Sequence, residues 1–324
     1  MTLHSIQQSL SAELGLLDSM IKSSLASDNE MMAGIINGYL GNKGKQIRPI
    51  LVILTAKMLG EVRESTIAAA AAVEMLHNAS LIHDDVVDES RLRHGHPTIN
   101  SVWDNHIAVL VGDFFVSSAL ARAIDTSDIR IIRSLSGMGR LLSVGEFDQI
   151  YNARFHRLNE KEYFRIISRK TASLFVTCVE MGAYSNNITD NRLDALRRYA
   201  ELLGLCFQIK DDIFDYVGSE SIGKPTGNDL LEGKVTLPLL YALSRTDLPD
   251  HQAMVELSRK NTLTADDVTR LYTFARDAGG LDYAVRTMRR LRDEAVMTLN
   301  SVSGPAEVRD ALVSLIDFIV ARDN

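Results

Sequence analysis

Apolar residues recur at three- and four-residue spacing along almost the whole chain, which is the period of an α-helix. Strand-like alternation is nearly absent. Breakers gather at Gly41 to Gly44, Gly60, Gly95 to Pro97, Gly218 to Gly227 and Gly279 to Gly280, and only 6 prolines interrupt 324 residues, so helical blocks fill the intervals. The most apolar long stretch runs from Ser65 to Ile82. It carries Glu74 and His77, which would be costly in a bilayer, so the pattern predicts a buried helix and no transmembrane segment. No composition break separates Lys45 from Lys234, and the expectation is all-α: a single helical domain over residues 1–324, a bundle around one central cavity.

Composition narrows the partners. The 35 basic and 42 acidic side chains leave a net charge of -7, which speaks against nucleic acid as the main partner and leaves small anions open. The N-terminal stretch lacks a basic region followed by an apolar core, and Glu13 falls where a signal peptide would be greasy, so no export is expected. Cys178 and Cys206 sit in apolar helical text without disulfide or metal-ligand spacing. They read as core residues of a cytoplasmic protein.

The strongest chemical signal is Asp84-Asp85-Val86-Val87-Asp88, matched far downstream by Asp211-Asp212-Ile213-Phe214-Asp215. Each is DDxxD. Residues four apart share a helix face, so Asp84 pairs with Asp88 and Asp211 with Asp215. Leu81, Ile82, Val86 and Val87, and likewise Phe207, Ile209, Ile213 and Phe214, place these acids in apolar helices, where unpaired carboxylates are expensive. Magnesium relieves that cost, because it favours one or two carboxylates plus substrate phosphate oxygens. One DDxxD alone is as often a solvated turn as a site; two copies in apolar helices point to a diphosphate held through bridging Mg²⁺.

Cations stand beside glycine turns and the acidic motifs. They are Gly44-Lys45-x-x-Arg48-Pro49, Arg91-x-Arg93-His94-Gly95, Lys170-Thr171, and the run from Gly223-Lys224-Pro225 to Gly233-Lys234. Taken singly, each basic residue is more often a surface charge; lysine as a point charge and arginine as a forked donor suit phosphate oxygens when grouped. The run Arg286, Arg289, Arg290 and Arg292 has helical spacing with adjacent acids and reads as a solvated face.

In this order the segments resemble the trans-isoprenyl diphosphate synthase, or polyprenyl synthetase, family: GKxxRP, DDxxD with a basic turn, Lys-Thr, FQxxDDxxD from Phe207, and GKPxGxDLxEGKxTLP from Gly223. The resemblance covers most of the chain and is closest to long-chain synthases. It implies an all-helical bundle, a homodimer, and two acidic motifs on opposing helices around a deep cavity. The activity it implies is a prenyltransferase that condenses isopentenyl diphosphate head to tail with an allylic diphosphate. Two or three Mg²⁺ ions would assist, and peripheral membrane contact would serve product release. By motif position, Asp84, Asp88, Asp211 and Asp215 would hold metal, with Asp85 and Asp212 in support. Arg93, Lys170, Thr171, Gln208, Lys224 and Lys234 would contact the allylic diphosphate. Lys45, Arg48 and His77 would bind isopentenyl diphosphate, together with His94, which stands where the family has a second arginine and brings less charge.

Product length is argued from the helix that carries Asp84. Ser80, Leu76 and Val73 project on nearly the same face, successively deeper, with Ala79 flanking, and one turn rises about 5.4 Å, roughly one isoprene unit. In the family, aromatics four or five residues before the first aspartate close the pocket. Small Ser80 and Ala79 here predict a long product, roughly eight units or more by this measure. The alternatives are a shorter farnesyl- or geranylgeranyl-type product and a non-catalytic subunit of a heteromeric prenyltransferase. A subunit of that kind is expected to have lost acids from one motif. An HD-type phosphohydrolase built on His83-Asp84 has no use for the second DDxxD, a terpene cyclase is expected to carry a different second metal motif, and a di-iron bundle built on Glu74-x-x-His77 lacks a second ExxH.

Overall fold

The computed structural model describes residues 1–41, 44–93, 95–217, 228–260 and 262–322. Among the described residues the chain is helical, apart from one two-stranded antiparallel hairpin that pairs Leu92 with Pro97 and Arg93 with His96. The all-α expectation holds. His94, Lys224 and the breaker run from Gly218 to Gly227 lie outside the described residues.

The chain forms two compact units. The first comprises Met1–Gly139, Thr177–Arg197 and Val302–Leu312. Its centre is the Glu64–Val87 helix, which packs against the helices Asn105–Asp125, Ile47–Leu59 and Ser11–Ser24. The helix begins where the Thr66 hydroxyl accepts the Arg63 N–H at 3.1 Å and meets the Ser185 hydroxyl at 2.7 Å. The five alanines Ala68 to Ala72 that follow are all buried, and their small side chains let neighbouring helices approach closely. At Gly112 the approach is closest: a Cβ there would lie 2.3 Å from His83 Nε2.

The expectation about the most apolar stretch is corrected here. Among the described residues the Asn105–Asp125 helix, with a mean hydropathy of 1.8, is the one long and apolar enough to cross a membrane by length and composition. Ala108, Val111, Phe115, Ala119 and Ala123 are buried, whereas Val109, Leu110, Leu120 and Ile124 are exposed. The helix is thus apolar on both faces, while the Ser65 to Ile82 stretch contains polar Glu74, His77 and Asn78.

The second unit comprises Arg140–Val176, Arg198–Ser301 and Val313–Asn324. Leu239, Ala242, Leu243, Met254, Leu257, Leu271 and Ala275 form one of its cores. The Glu160–Ile167 helix runs into a π-turn, Ser168–Ala172. Two glycines bring backbone against that turn: a Cβ on Gly145 would lie 2.8 Å from the Lys170 nitrogen, and one on Gly204 would lie 2.5 Å from Ala172 Cα. π-turns put an extra residue into a helical turn and so re-aim the side chains around them. Cys206 here and Cys178 in the first unit are free and buried, as core residues should be. Arg286, Arg289 and Arg290 are exposed, whereas Arg292 is half-buried and donates to Asp317 at 2.7 Å.

Candidate active site

In the first unit, Asp84 is half-buried, Asp85 buried and Asp88 exposed at the helix C-cap. A carboxylate buried like that of Asp85 needs donors. Arg93 supplies them from the hairpin, through Nε at 2.8 Å and Nη2 at 2.8 Å. Gly95 at φ +79° makes the turn that returns Arg93 toward the helix. Asn100 Nδ2 donates to the Asp85 carbonyl at 3.1 Å and fastens the same corner. Arg93, expected on a diphosphate, is therefore also the partner of the middle aspartate.

Arg48 lies in the first turn of the Ile47–Leu59 helix, just after Gln46, which is held in the left-handed region at φ 53°. That conformation is strained for a non-glycine residue and marks a forced change of direction between Lys45 and Arg48. Lys45 is exposed. Burial, Arg48 and Arg93 together push His77 well below the usual histidine range, so the imidazole is neutral at pH 7. The charges of Arg48 and Arg93 thus both bear on His77. Burial raises the neighbouring Glu74 carboxyl, and the Arg48 charge opposes that shift. Glu74 also lines a small cavity of about 60 Å³ with Asp18, Tyr39, Gln46 and Asn78, none of which the motifs had marked apart from Glu74.

Along the product stripe read from the sequence the four positions separate. Val73 and Ala79 are fully packed, whereas Leu76 and Ser80 are half-buried, with the Ser80 hydroxyl donating to the His77 carbonyl at 2.8 Å.

In the second unit, Lys170, Thr171, Gln208, Asp212 and Lys234 line one cavity of about 180 Å³. These five were expected on one diphosphate or its metal, and three separate stretches of sequence bring them to a common wall. Lys170 comes from the π-turn and is held by Glu146 at 2.5 Å and Gln149 at 3.2 Å. Thr171 donates to Gln208 Oε1 at 2.7 Å, and Gln208 Nε2 donates to Asp212 Oδ1 at 2.9 Å. Lys234 pairs with Glu232.

The three aspartates of the second motif have different surroundings. Asp211 accepts from Arg322 Nη2 at 2.6 Å, and that guanidinium lies over the Phe207 ring at 4.1 Å. Asp212 also accepts from the Tyr163 hydroxyl at 2.5 Å. Asp215 accepts from the Tyr272 hydroxyl and from the Asp229 N–H at 3.3 Å. Burial, then the nearby Asp229 charge, pushes Asp212 up to about 8. Asp229 itself is pushed up to about 6 by burial and then by Asp215. Tyr163, Tyr272 and Arg322 lie outside every motif, and Asp229, the aspartate of the GKPxGxDLxEGKxTLP segment, had been given no role.

Oxygen ligands for a hard cation are present in both motifs, and Asp211 already holds one cationic group, the Arg322 guanidinium. Crowded carboxylates whose proton affinity is raised are the donors a divalent ion relieves. Among the described residues no three His, Cys, Asp or Glu side chains form a ready cage. Magnesium does not require one when phosphate oxygens complete its shell.

An all-helical chain with two DDxxD helices and a lysine-lined polar cavity defines a diphosphate-handling helical enzyme. The polyprenyl synthetase family model matches residues 29–275. The octaprenyl diphosphate synthase of Haemophilus influenzae is 32% identical over 326 residues, covering 100% of this chain and 98% of that one. A polyprenyl synthase from Caulobacter crescentus, solved with calcium and isoprenyl diphosphate, is 33% identical with a TM-score of 0.90, covering 100% of this chain and 98% of that one. A geranylgeranyl pyrophosphate synthase from Bacteroides thetaiotaomicron is 37% identical with a TM-score of 0.83, covering 98% of each chain. The chain belongs to the polyprenyl synthetase family and is a prenyltransferase. The names of these relatives differ in product, so the family alone does not set product length.

Proposed function

We propose that this prenyltransferase condenses isopentenyl diphosphate head to tail with an allylic diphosphate and builds a long all-trans polyprenyl diphosphate. The observation that carries the diphosphate chemistry is the convergence of Lys170, Thr171, Gln208, Asp212 and Lys234 on one cavity. Breaking the allylic C–O bond leaves a carbocation and sends the electron pair to the diphosphate. Lys170 and Lys234 stabilise that charge as preorganised cations, Lys170 exchanging its Glu146 partner for phosphate oxygen. The double bond of isopentenyl diphosphate then attacks the cation, and the departed diphosphate removes the proton that restores the alkene. On this reading Lys45, Arg48 and neutral His77 bind isopentenyl diphosphate, and His94 is assigned to it by motif position alone. Asp84 and Asp88 in one motif, and Asp211 and Asp215 in the other, would hold Mg²⁺ for diphosphate oxygens. When bound, the metal adds electrostatic stabilisation to the leaving group.

Small, half-buried Ser80 one turn before Asp84, with half-buried Leu76 behind it, supports the long product. Full packing at Val73 favours a second reading, in which growth stops nearer geranylgeranyl length. The exposed row Val109, Leu110, Leu120 and Ile124 supports a homodimer that covers it. Buried free thiols at Cys178 and Cys206 suit a cytoplasmic enzyme.

The test is turnover by the purified chain with isopentenyl diphosphate and geranyl or farnesyl diphosphate, with Mg²⁺ or with EDTA, read by mass spectrometry. Metal-dependent products of about eight or more units support the long-chain reading. Products of about four units establish the shorter one, and no product with any primer rejects both in favour of a non-catalytic subunit.

A further inference from the structure

The Asp212 carboxylate has a protein donor on each oxygen. Tyr163 donates to Oδ2 at 2.5 Å and Gln208 Nε2 to Oδ1 at 2.9 Å. With a donor already on each oxygen, Asp212 takes the Nε2 end of the Gln208 amide, and that pairing sets how the amide is turned. With Nε2 turned to Asp212, Oε1 must face the other way, and there it accepts the Thr171 hydroxyl at 2.7 Å. A flipped amide would lose the bond from Nε2 to Asp212 Oδ1 and turn Nε2 toward the Thr171 hydroxyl. Tyr163 stands at the fixed end of this sequence of bonds. It is buried, and it reaches Asp212 from the Glu160–Ile167 helix, the same helix that continues into the π-turn bearing Lys170 and Thr171.

We infer that Tyr163 is a positioning residue for the diphosphate subsite, acting through Asp212 and Gln208 to fix the Thr171 hydroxyl on the cavity wall. The inference rests on the proposed diphosphate-binding function of that cavity. Tyr163 does not need to touch substrate. Its hydroxyl anchors Asp212, Asp212 orients Gln208, and Gln208 holds the Thr171 proton donor until a phosphate oxygen takes it. A threonine hydroxyl has one proton, so its direction before binding decides how well it meets the ligand. Replacing Tyr163 by Phe keeps the ring and removes only the anchor. Asp212 Oδ2 then lacks its donor and the carboxylate is free to turn.

The experiment is calorimetric binding of geranyl thiolodiphosphate, an unreactive allylic probe, to the full chain in Mg²⁺, for wild type, Tyr163→Phe, Thr171→Ala and the double variant. Circular dichroism melting checks that each is folded. The expected result is a roughly tenfold weaker Kd for Tyr163→Phe, a weaker Kd for Thr171→Ala, and a double variant no weaker than Thr171→Ala alone, because both substitutions cut one chain of bonds. KM for isopentenyl diphosphate stays at the wild-type value in Tyr163→Phe. An unchanged Kd in Tyr163→Phe, or losses that simply add in the double variant, overturns the inference while the function stands. A wild-type chain that does not bind the probe takes down the function and the inference together.

Discussion

Substituting Ser80 and Ala79 separately by Phe tests the product stripe, because the structure treats the two neighbours differently. Ser80 is half-buried; Ala79 has no exposure. Along the helix Ser80 lies about 6 Å, Leu76 about 12 Å and Val73 about 16 Å behind Asp84. At roughly one isoprene unit per turn, a ring at Ser80 intercepts a growing tail within its first few units. Ser80→Phe should therefore shorten the product to about three units or fewer. It loses one hydroxyl bond to the His77 carbonyl, a modest cost of about 1 kcal/mol. A ring at Ala79 has no open space and must displace packed neighbours, at about 1–3 kcal/mol. Ala79→Phe should lower the melting temperature by several degrees, and its product change cannot be separated from that disturbance. The assay is chromatography and mass analysis of dephosphorylated products beside thermal melts. A Ser80→Phe enzyme that melts like wild type and makes a wild-type product refutes the stripe.

Three further outcomes follow. Arg322 and a divalent ion on Asp211 would repel by several kcal/mol at about 5 Å and an effective dielectric near 20. Arg322→Gln should therefore bind Mn²⁺ more tightly by electron paramagnetic resonance titration, and unchanged or weaker binding contradicts this. Asp212 at about 8 and Asp229 at about 6 hold protons that the unfolded chain releases near pH 4. Their contribution is thus complete below about pH 4 and lost as pH rises through 6 and then 8. In EDTA, Asp212→Asn should melt above wild type at pH 9 by about 2–4 kcal/mol, with the difference vanishing near pH 4. A Cβ at Gly204 meets Ala172 Cα at 2.5 Å, whereas one at Gly137 meets nothing within 4 Å. Gly204→Ala should cost about 1–3 kcal/mol and reduce turnover. Gly137→Ala should gain about 0.5–1 kcal/mol in a helix and leave turnover intact.

The helices and the motif residues of the cavity wall were legible because both depend on local pattern. Period and breakers show helices, and motif order selects Lys170, Thr171, Gln208 and Lys234. Tyr163 and Arg322 were not legible, since their bonds to Asp212 and Asp211 span 49 and 111 residues with no local signature. The π-turn escaped for a related reason. It is imposed by backbone contact at Gly145 and Gly204, which composition does not reveal. Helical period gave the direction of Val73 and Ala79, but direction does not say what covers a position. The neighbouring helices bury both completely. Likewise apolar content ranked Ser65 to Ile82 above Asn105–Asp125 until the polar residues inside the former were weighed against a helix that is apolar on two faces.

A crystal structure of the chain with Mg²⁺ and geranyl thiolodiphosphate tests most directly whether the lysine-lined cavity takes the diphosphate. The account requires the diphosphate against Lys170, Thr171 and Lys234, with a metal ion on an aspartate of the second motif. A diphosphate bound elsewhere, with none in that cavity, would contradict it.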